Sequence, residues 1–419
     1  MKFSKHKLGD LLHISRGASL PGRGYCDRGK YLRLTLANFF EEGGFKEFKS
    51  TEGKYFNLSF DPKFLMKKGD LITPLTEQSP GLLGSVAFIP CDNLYIQSQD
   101  VGLITCNAEK LDKQFAYYLF LTHSVREQIS ARSQQTKIRH TSPDKISDVE
   151  VFLPDLPTQL RIAGVLGSLD EKIELNRKKI AELEALAKTI YDYWFVQFDF
   201  PDANGKPYRS SGGKMVWNEQ LKREIPDGWE VKTLGSVMSV NDESYSDKTL
   251  PNDINYIDIS SVSCGTITSW THYTKGTAPG RARRIAKDGD TIWSTVRPNL
   301  RAYALVVDPN VNNVYSTGFV VLRPQGVPFS FLYLTTTTDS YIEYLVSRVG
   351  NSAYPSVLPC TFEQYQIPLP SCTLLSCFSK ITDSIFRARE YAFSEIKELS
   401  QTRDCLLPLL MNGQAKVAG

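Results

Sequence analysis

The chain has 419 residues, 41% of them hydrophobic, a net charge of +3 and eight cysteines that form no CxxC pair. That length exceeds what one core serves and fits two domains with connectors, while so mild a charge neither requires nor excludes nucleic acid. No run of eighteen apolar residues occurs and no apolar h-region follows Met1-Lys2-Phe3-Ser4-Lys5-His6, so a membrane span is not expected and the cytoplasm is; the scattered cysteines predict free, mostly buried thiols rather than a zinc site.

The first predicted domain, 1–155, opens on Phe3-x4-Leu8-Gly9-Asp10 and reads as α+β, with short strands between Gly, Pro and Asn turns and a helical segment at 113–129. Its strands include those at Lys68-Gly69-Asp70-Leu71-Ile72, Val86-Ala87-Phe88-Ile89 and 98–104. Near its end, Arg132-Ser133-Gln134-Gln135-Thr136-Lys137-Ile138-Arg139-His140 carries three positive charges and no acid, and Gln78, Gln97 and Gln99 add amides nearby in sequence.

A long helix follows, predicted within 156–198. Apolar residues recur at alternating spacings of four and three: Ile162, Leu166, Leu169, Ile173, Ile180, Leu183, Ala187, Ile190 and Trp194. Asn176 is the one polar residue in this seam, the device by which a two-stranded coil fixes register. Thirty-odd residues at about 1.5 Å each make a rod of roughly 50 Å, long for a core helix and suited to a strut. The stretch 199–228, with Phe200-Pro201-Asp202, Gly205-Lys206-Pro207 and Ser210-Ser211-Gly212-Gly213, reads as loop and turn joining two halves.

The second domain, 229–371, repeats the first. Trp229-x4-Leu234-Gly235-Ser236 answers the opening motif, and Asp288-Gly289-Asp290-Thr291-Ile292 answers the turn before the strand. Ala304-Leu305-Val306-Val307 aligns with 86–89, and 316–322 with 98–104. From Ser124 to Ile190 a single offset of 216 holds without a gap, so Arg132 falls on Arg348 and Ile180 on Ile396. Three runs have the basic character of the first domain's loop: Arg281-Ala282-Arg283-Arg284, Arg297-Pro298-Asn299-Leu300-Arg301, and Arg348-Val349-Gly350-Asn351-Ser352-Ala353-Tyr354. A second helix, 372–413, has a weaker seam (Phe378, Thr382, Ile385, Arg389, Ala392, Ile396, Leu399, Arg403, Leu406, Leu410) and is expected to stop at Pro408; 414–419 is a tail. Two arginines and a threonine in that seam favour pairing with the first helix over a free-standing homodimeric zipper.

The expected fold is therefore two similar α+β domains separated by two long helices that pair as an antiparallel intramolecular coiled coil, a tandem repeat with a pseudo-twofold axis. Duplex DNA has twofold axes of its own, and the rod compares with about 34 Å per duplex turn, so one chain could read two half-sites. Arginine suits guanine O6/N7, Gln and Asn suit adenine N6/N7, and lysine mainly neutralises phosphate. The candidate DNA-contacting residues are Gln78, Gln99, Arg132, Gln134, Gln135, Lys137 and Arg139 in the first domain, and Arg281, Arg283, Arg284, Arg297, Asn299, Arg301, Arg348, Asn351 and Tyr354 in the second; the alternative for each is a solvated loop with incidental charge.

Taken together, these residues resemble a family. Leu156-Pro157-x-Gln159-x2-Ile162, Leu169-Asp170-x2-Ile173-x2-Asn176, Tyr191-x2-Trp194-Phe195, Phe198-Asp199-Phe200-Pro201, Gly205-Lys206-Pro207-Tyr208, 211–216, Glu224-Ile225-Pro226-x-Gly228-Trp229 and Leu406-Leu407-Pro408-Leu409-Leu410-Met411-Asn412-Gly413 look like the specificity (DNA-recognition) subunit of a type I restriction–modification enzyme. The resemblance implies two target-recognition domains, each reading one half of a split asymmetric DNA site, held apart by the two helices. It implies that two methylation subunits dock on this scaffold and that ATP-dependent restriction subunits join them. S-adenosylmethionine, ATP and Mg are then expected only on those partners, with no cofactor, metal or catalytic residue in this chain. Tyr191, Trp194 and Phe195 either grip a partner or bury against the following loop. The second helix departs from the pattern, with Thr373-Leu374-Leu375 where Pro-x-Gln would stand and no Trp-Phe end.

Motifs for chemistry are missing: no Asn-Pro-Pro-Tyr/Phe, and Gly212-Gly213-Lys214 lacks the upstream glycine of a phosphate-binding loop. Pro154-Asp155 followed by Asp170-Glu171-Lys172 imitates a nuclease metal site, but on one regular helix. A stand-alone endonuclease and a two-domain coiled-coil scaffold are the rival functions.

Overall fold

The computed structural model describes residues 3–48, 50–78, 80–133, 139–349 and 355–417. The chain divides into two compact units: residues 1–175 with 396–419, and residues 176–395. The division runs through both long helices, because each half of a rod packs into the core of its own unit.

In the first unit, a four-stranded antiparallel sheet runs in the order Leu12–Arg16, Val101–Cys106, Leu71–Pro74, Ala87–Phe88. A second sheet, containing the parallel pair Tyr31–Arg33 and Tyr95–Ile96, lies beside it in the same unit. Ser4–Lys7 pairs with Glu150–Leu153, so the two ends of the head close on each other. The second unit repeats this plan: Met238–Val240, Phe319–Pro324, Thr291–Ser294, Tyr303–Leu305, a parallel pair in the second sheet, and closure of Glu230–Thr233 on Gln366–Leu369. The helices Lys113–Leu121 and His123–Ala131 recur as Phe329–Thr336 and Asp339–Ser347.

The strand registers refine the repeat. Leu71 pairs with Ile104, as Thr291 pairs with Leu322; Ile72 pairs with Ala87, as Ile292 pairs with Ala304. Ala87 thus matches Ala304, one residue from the alignment by sequence. An unbroken apolar run has no alternation to set its register; only cross-strand packing sets it.

The first long helix spans Leu156–Tyr191. Ile162, Leu166, Ile173, Asn176, Ile180 and Ala187 are buried, and Leu169, Leu183 and Ile190 are half-buried, which is the expected seam. Within the first unit this seam meets the end of the second helix: Ile162 and Leu166 share a cluster with Leu410 and Met411, and Asp170 pairs with Arg403 at 3.0 Å. Within the second unit, Asn176 Nδ2 donates to Glu395 at 2.9 Å, Glu184 faces Arg389, and Tyr191 and Trp194 meet Phe378. In both units numbers rise along one helix as they fall along the other, so the pairing is antiparallel. On the second helix Phe378 and Ile385 are buried and Ile396, Leu399 and Leu406 half-buried.

Four expectations are corrected. The second helix runs Cys372–Met411 with Pro408 inside it. In the last turn a proline removes one donor without breaking the rod, and Gly413 at φ +76 ends it, its N–H bonded to Leu410 O. Of the two uses considered for Tyr191, Trp194 and Phe195 the structure shows burial, not an exposed patch: they are 7%, 7% and 5% exposed and packed with Phe331, Phe378 and Trp229, with Trp194 and Phe195 in a π-helical turn at Asp192–Val196. The joining stretch contains a hairpin, Met215–Asn218 with Arg223–Pro226, whose turn is held by Asn218 Oδ1 accepting from Gln220 and Leu221 N–H. Five of the eight cysteines (Cys264, Cys360, Cys372, Cys377 and Cys405) are exposed, three of them on the outer face of the second helix.

Candidate nucleic-acid interface

Among the described candidates, Gln78, Gln99 and Arg139 in the first unit and Arg297, Asn299 and Arg301 in the second lie beyond one end of their unit's central sheet. In the first unit, the chain leaving Leu71–Pro74 forms Thr76–Glu77, which pairs with Arg139–His140. Glu77, 1% exposed, accepts the N–H groups of Gly81, Leu82 and Leu83 at 3.0, 2.8 and 2.9 Å and pairs with Arg139 at 2.9 Å. Arg139 also donates to Ser130 and Ser133, and Arg126 to the carbonyl of Gly81. One buried carboxylate and two arginines therefore hold the loop after Gln78 against the segment leading to the basic loop. Gln78 and Gln99 are exposed at this end, and Leu75 N–H bonds Asp100 O beside Gln99. Gln97 is buried and donates to Ser15 and Val101 carbonyls, which makes it scaffold rather than reader. Arg132 caps the helix His123–Ala131, and its guanidinium donates back to Gln128.

The second unit uses the same joint. Val296 bridges Ser356, as Thr76 pairs with His140, and Arg297 N–H bonds Pro355 O at 3.0 Å. Arg297 and Arg301 both hold left-handed backbone, at φ +50 and +56, around a short turn that buries Pro298 and exposes Asn299 and Leu300. Such backbone is uncommon outside glycine and points to a constrained presentation of side chains. Arg301 pairs with Asp339 at 2.6 Å, a hydrogen bond that raises its guanidinium above its ordinary value, and Asp339 starts the helix whose C-cap is the exposed Arg348. Thr295 reaches Gly318 O, and Thr317 N–H bonds Arg281 O, so Arg281 lies exposed on the same edge.

Not all the arginines are available. Arg139 is engaged in the Glu77 network, Arg283 is paired with Asp247, and Arg284 bonds Ser244, its guanidinium pushed down by burial. Their alternation in sequence with exposed neighbours conceals this, since an inward guanidinium and an outward one read alike. Gln134, Gln135, Lys137, Asn351 and Tyr354 lie outside the described residues. Glu77 and Arg126, which organise the first loop, carried no signal in sequence beyond being single charges.

These groups are suited to hydrogen-bonding base edges and phosphates. Among the described residues no group of three or more His, Cys, Asp and Glu could hold a metal. The nuclease-like pair is structural: Asp155 caps the first long helix through Thr158, and Asp170 accepts from Arg403 and, at 2.6 Å, from Tyr118, whose hydroxyl burial keeps protonated. No helix among the described residues is long and apolar enough to cross a membrane.

Two tandem heads, each sending its loops from the same sheet end and each built onto halves of two antiparallel helices, define a two-headed α+β scaffold. Comparison shows which proteins share it. The sequence profile of the type I restriction modification DNA specificity domain matches residues 2–185. The chain is 24% identical over 409 residues to the type I restriction enzyme HindI specificity subunit of Haemophilus influenzae, covering 84% of this chain and 88% of that protein. It is 24% identical to the MjaIX specificity subunit of Methanocaldococcus jannaschii, covering 73% and 69%. In fold it is similar to the type I restriction–modification S subunit of M. genitalium, with TM-score 0.61, 18% identity and coverage of 98% and 96%. Over residues 2–185 the chain thus carries the signature of the type I restriction modification DNA specificity domain, and over most of its length it is similar to type I specificity subunits.

Proposed function

We propose that each unit reads one half of a bipartite, asymmetric DNA target, and that the paired helices set the spacer between the halves and dock two methylation subunits, which ATP-dependent restriction subunits join. The observation that carries this reading is one scaffold used twice with different residues at the same edge. Gln78, Gln99 and Arg132 stand there in the first unit, and Arg281, Arg297, Asn299 and Arg348 in the second. Equivalent placement supports equivalent use, and unequal residues support unequal half-sites. Methyl transfer and DNA translocation then belong to the partners, which would carry S-adenosylmethionine, ATP and Mg.

Exchanging residues 18–149 for those of another such subunit should alter one half of the target, read as methylated adenines across the host genome. Movement of both halves would refute independent readers. In gel-shift series over random-site duplexes, the chain alone should bind weakly and with steep salt dependence, and tightly and sequence-specifically once methylation subunits are added. An absence of DNA affinity even with partners would leave a scaffold without recognition.

A further inference from the structure

At the end of the first unit's sheet opposite the DNA-facing loops lies a cavity of about 430 Å³. Its wall includes Leu103, Leu156 and Leu160 and its rim includes Asp70, Asp112 and Lys113, with Thr105 between them. Leu160, on the first turns of the long helix, is 53% exposed, a large apolar side chain left facing this space. Lys113 spends its ammonium on Gly69 O and Asp112 caps its own helix through Phe115 N–H. Asp70 uses one carboxylate oxygen to accept from Lys67 N–H at 2.8 Å.

The second unit shows what an equivalent place holds. Its turn is the same, with Gly289 at φ +83 against Gly69 at +81 and Asp290 accepting from Lys287 N–H at 2.8 Å. The strand registers put Arg323 where the first unit has Thr105, each following the residue that pairs with the strand after the turn. Arg323 lies along that position and grips Asp290 through Nε at 3.0 Å and Nη2 at 2.8 Å, the forked geometry for which arginine is suited, while its Nη1 reaches Glu243 at 2.7 Å, a position that the registers match to Gly17 in the first unit. In the first unit the aspartate is kept, the arginine is replaced by a short threonine, and two apolar residues, Leu156 and Leu160, stand where the second helix has Cys372 and Ser376.

We infer that this cavity is a docking pocket for an arginine projected by a protein partner, its guanidinium forked onto Asp70 and its aliphatic stem laid on Leu103 and Leu160. The partner is a methylation subunit, a commitment that rests on the docking reading proposed above. The pocket lies at the start of the first rod, away from the loops assigned to DNA, and Asp70 offers there the carboxylate whose counterpart, Asp290, holds an arginine of its own chain in the second unit. An arginine donated in trans completes in the first unit what Arg323 completes in cis in the second, so the two ends of the scaffold are chemically unequal toward their partners.

Two variants of the full chain test this, each titrated with a methylation subunit of the same host and followed by fluorescence anisotropy. Thr105→Arg fills the pocket from within, and Asp70→Lys reverses the charge at its rim. Each should weaken association at this end at least about tenfold, with the thermal melt of Thr105→Arg unchanged or raised and DNA binding by the isolated chain kept. Wild-type affinity in Thr105→Arg overturns the inference while leaving partner docking intact. Failure of the wild-type chain itself to bind the methylation subunit overturns the docking reading. Loss of self-association or of DNA binding in Thr105→Arg, with methylation-subunit affinity unchanged, assigns the pocket to another occupant and also overturns the inference.

Discussion

Arg389 shows how a single residue can tie a head to its rod. It sits in the helix seam, 1% exposed, and donates to Gly265 O at 2.7 Å, with Glu184 at 3.4 Å and Glu390 at 3.1 Å and three aromatic rings around it. Burial alone would lower its guanidinium, but Tyr333, Glu390 and Glu184 outweigh burial and hold it above its ordinary value. The same burial raises both glutamates. Removing the cation strands two half-buried carboxylates, so Arg389→Met should cost about 3 kcal/mol in urea melts at neutral pH. A carboxyl whose folded value is raised stabilises most when protonated and loses that contribution as pH rises through the folded value. The deficit of Arg389→Met should therefore shrink between pH 7.5 and pH 5; a constant deficit would remove the glutamates from the account.

The helices are where periodicity translates most directly into stability. The same rod carries Leu166, fully buried, and Leu175, 66% exposed. Leu166→Ala should cost about 2–5 kcal/mol through lost transfer energy and the cavity left behind, whereas Leu175→Ala should stay within about 0.5 kcal/mol. Parallel melts of the two variants check the assignment of the seam, and equal losses would contradict it. Gln159, in the Leu-Pro-x-Gln start of the helix, accepts from Asp112 N–H and donates to Lys110 and Pro154 carbonyls. That motif is a staple between rod and head. Leu375 takes the place in the second helix and joins an apolar core instead, so its missing Pro-x-Gln reflects a different solution to the same joint.

For the whole molecule, the ruler reading makes a length prediction. Adding one helical turn after Asn176, with a matching turn beside its partner Glu395, should lengthen the unread gap by about one to two base pairs and leave the half-site bases as they were. Methylation maps of the variant measure both quantities at once, and altered half-site bases would refute a spacer role. The unequal ends inferred from Arg323 and the cavity beside Asp70 add that methylation subunits should load with two affinities rather than one.

Repetition and periodicity were legible without coordinates. The offset of 216 residues, the α+β heads and the seam from Ile162 to Trp194 all depend on spacing along the chain, which a helix or strand converts directly into a face. Direction was not legible. Tyr191, Trp194 and Phe195 fitted either a docking patch or a buried cluster, and packing against Phe378 of the second helix made them core; Arg139, Arg283 and Arg284 resembled readers, and Glu77, Asp247 and Ser244 engaged them. Whether a side chain turns inward depends on partners brought from distant parts of the chain, and one-residue strand register depends on cross-strand packing. Local spacing could therefore establish what the elements are and how often they recur, while only tertiary contact could decide which charges remain free to meet another molecule.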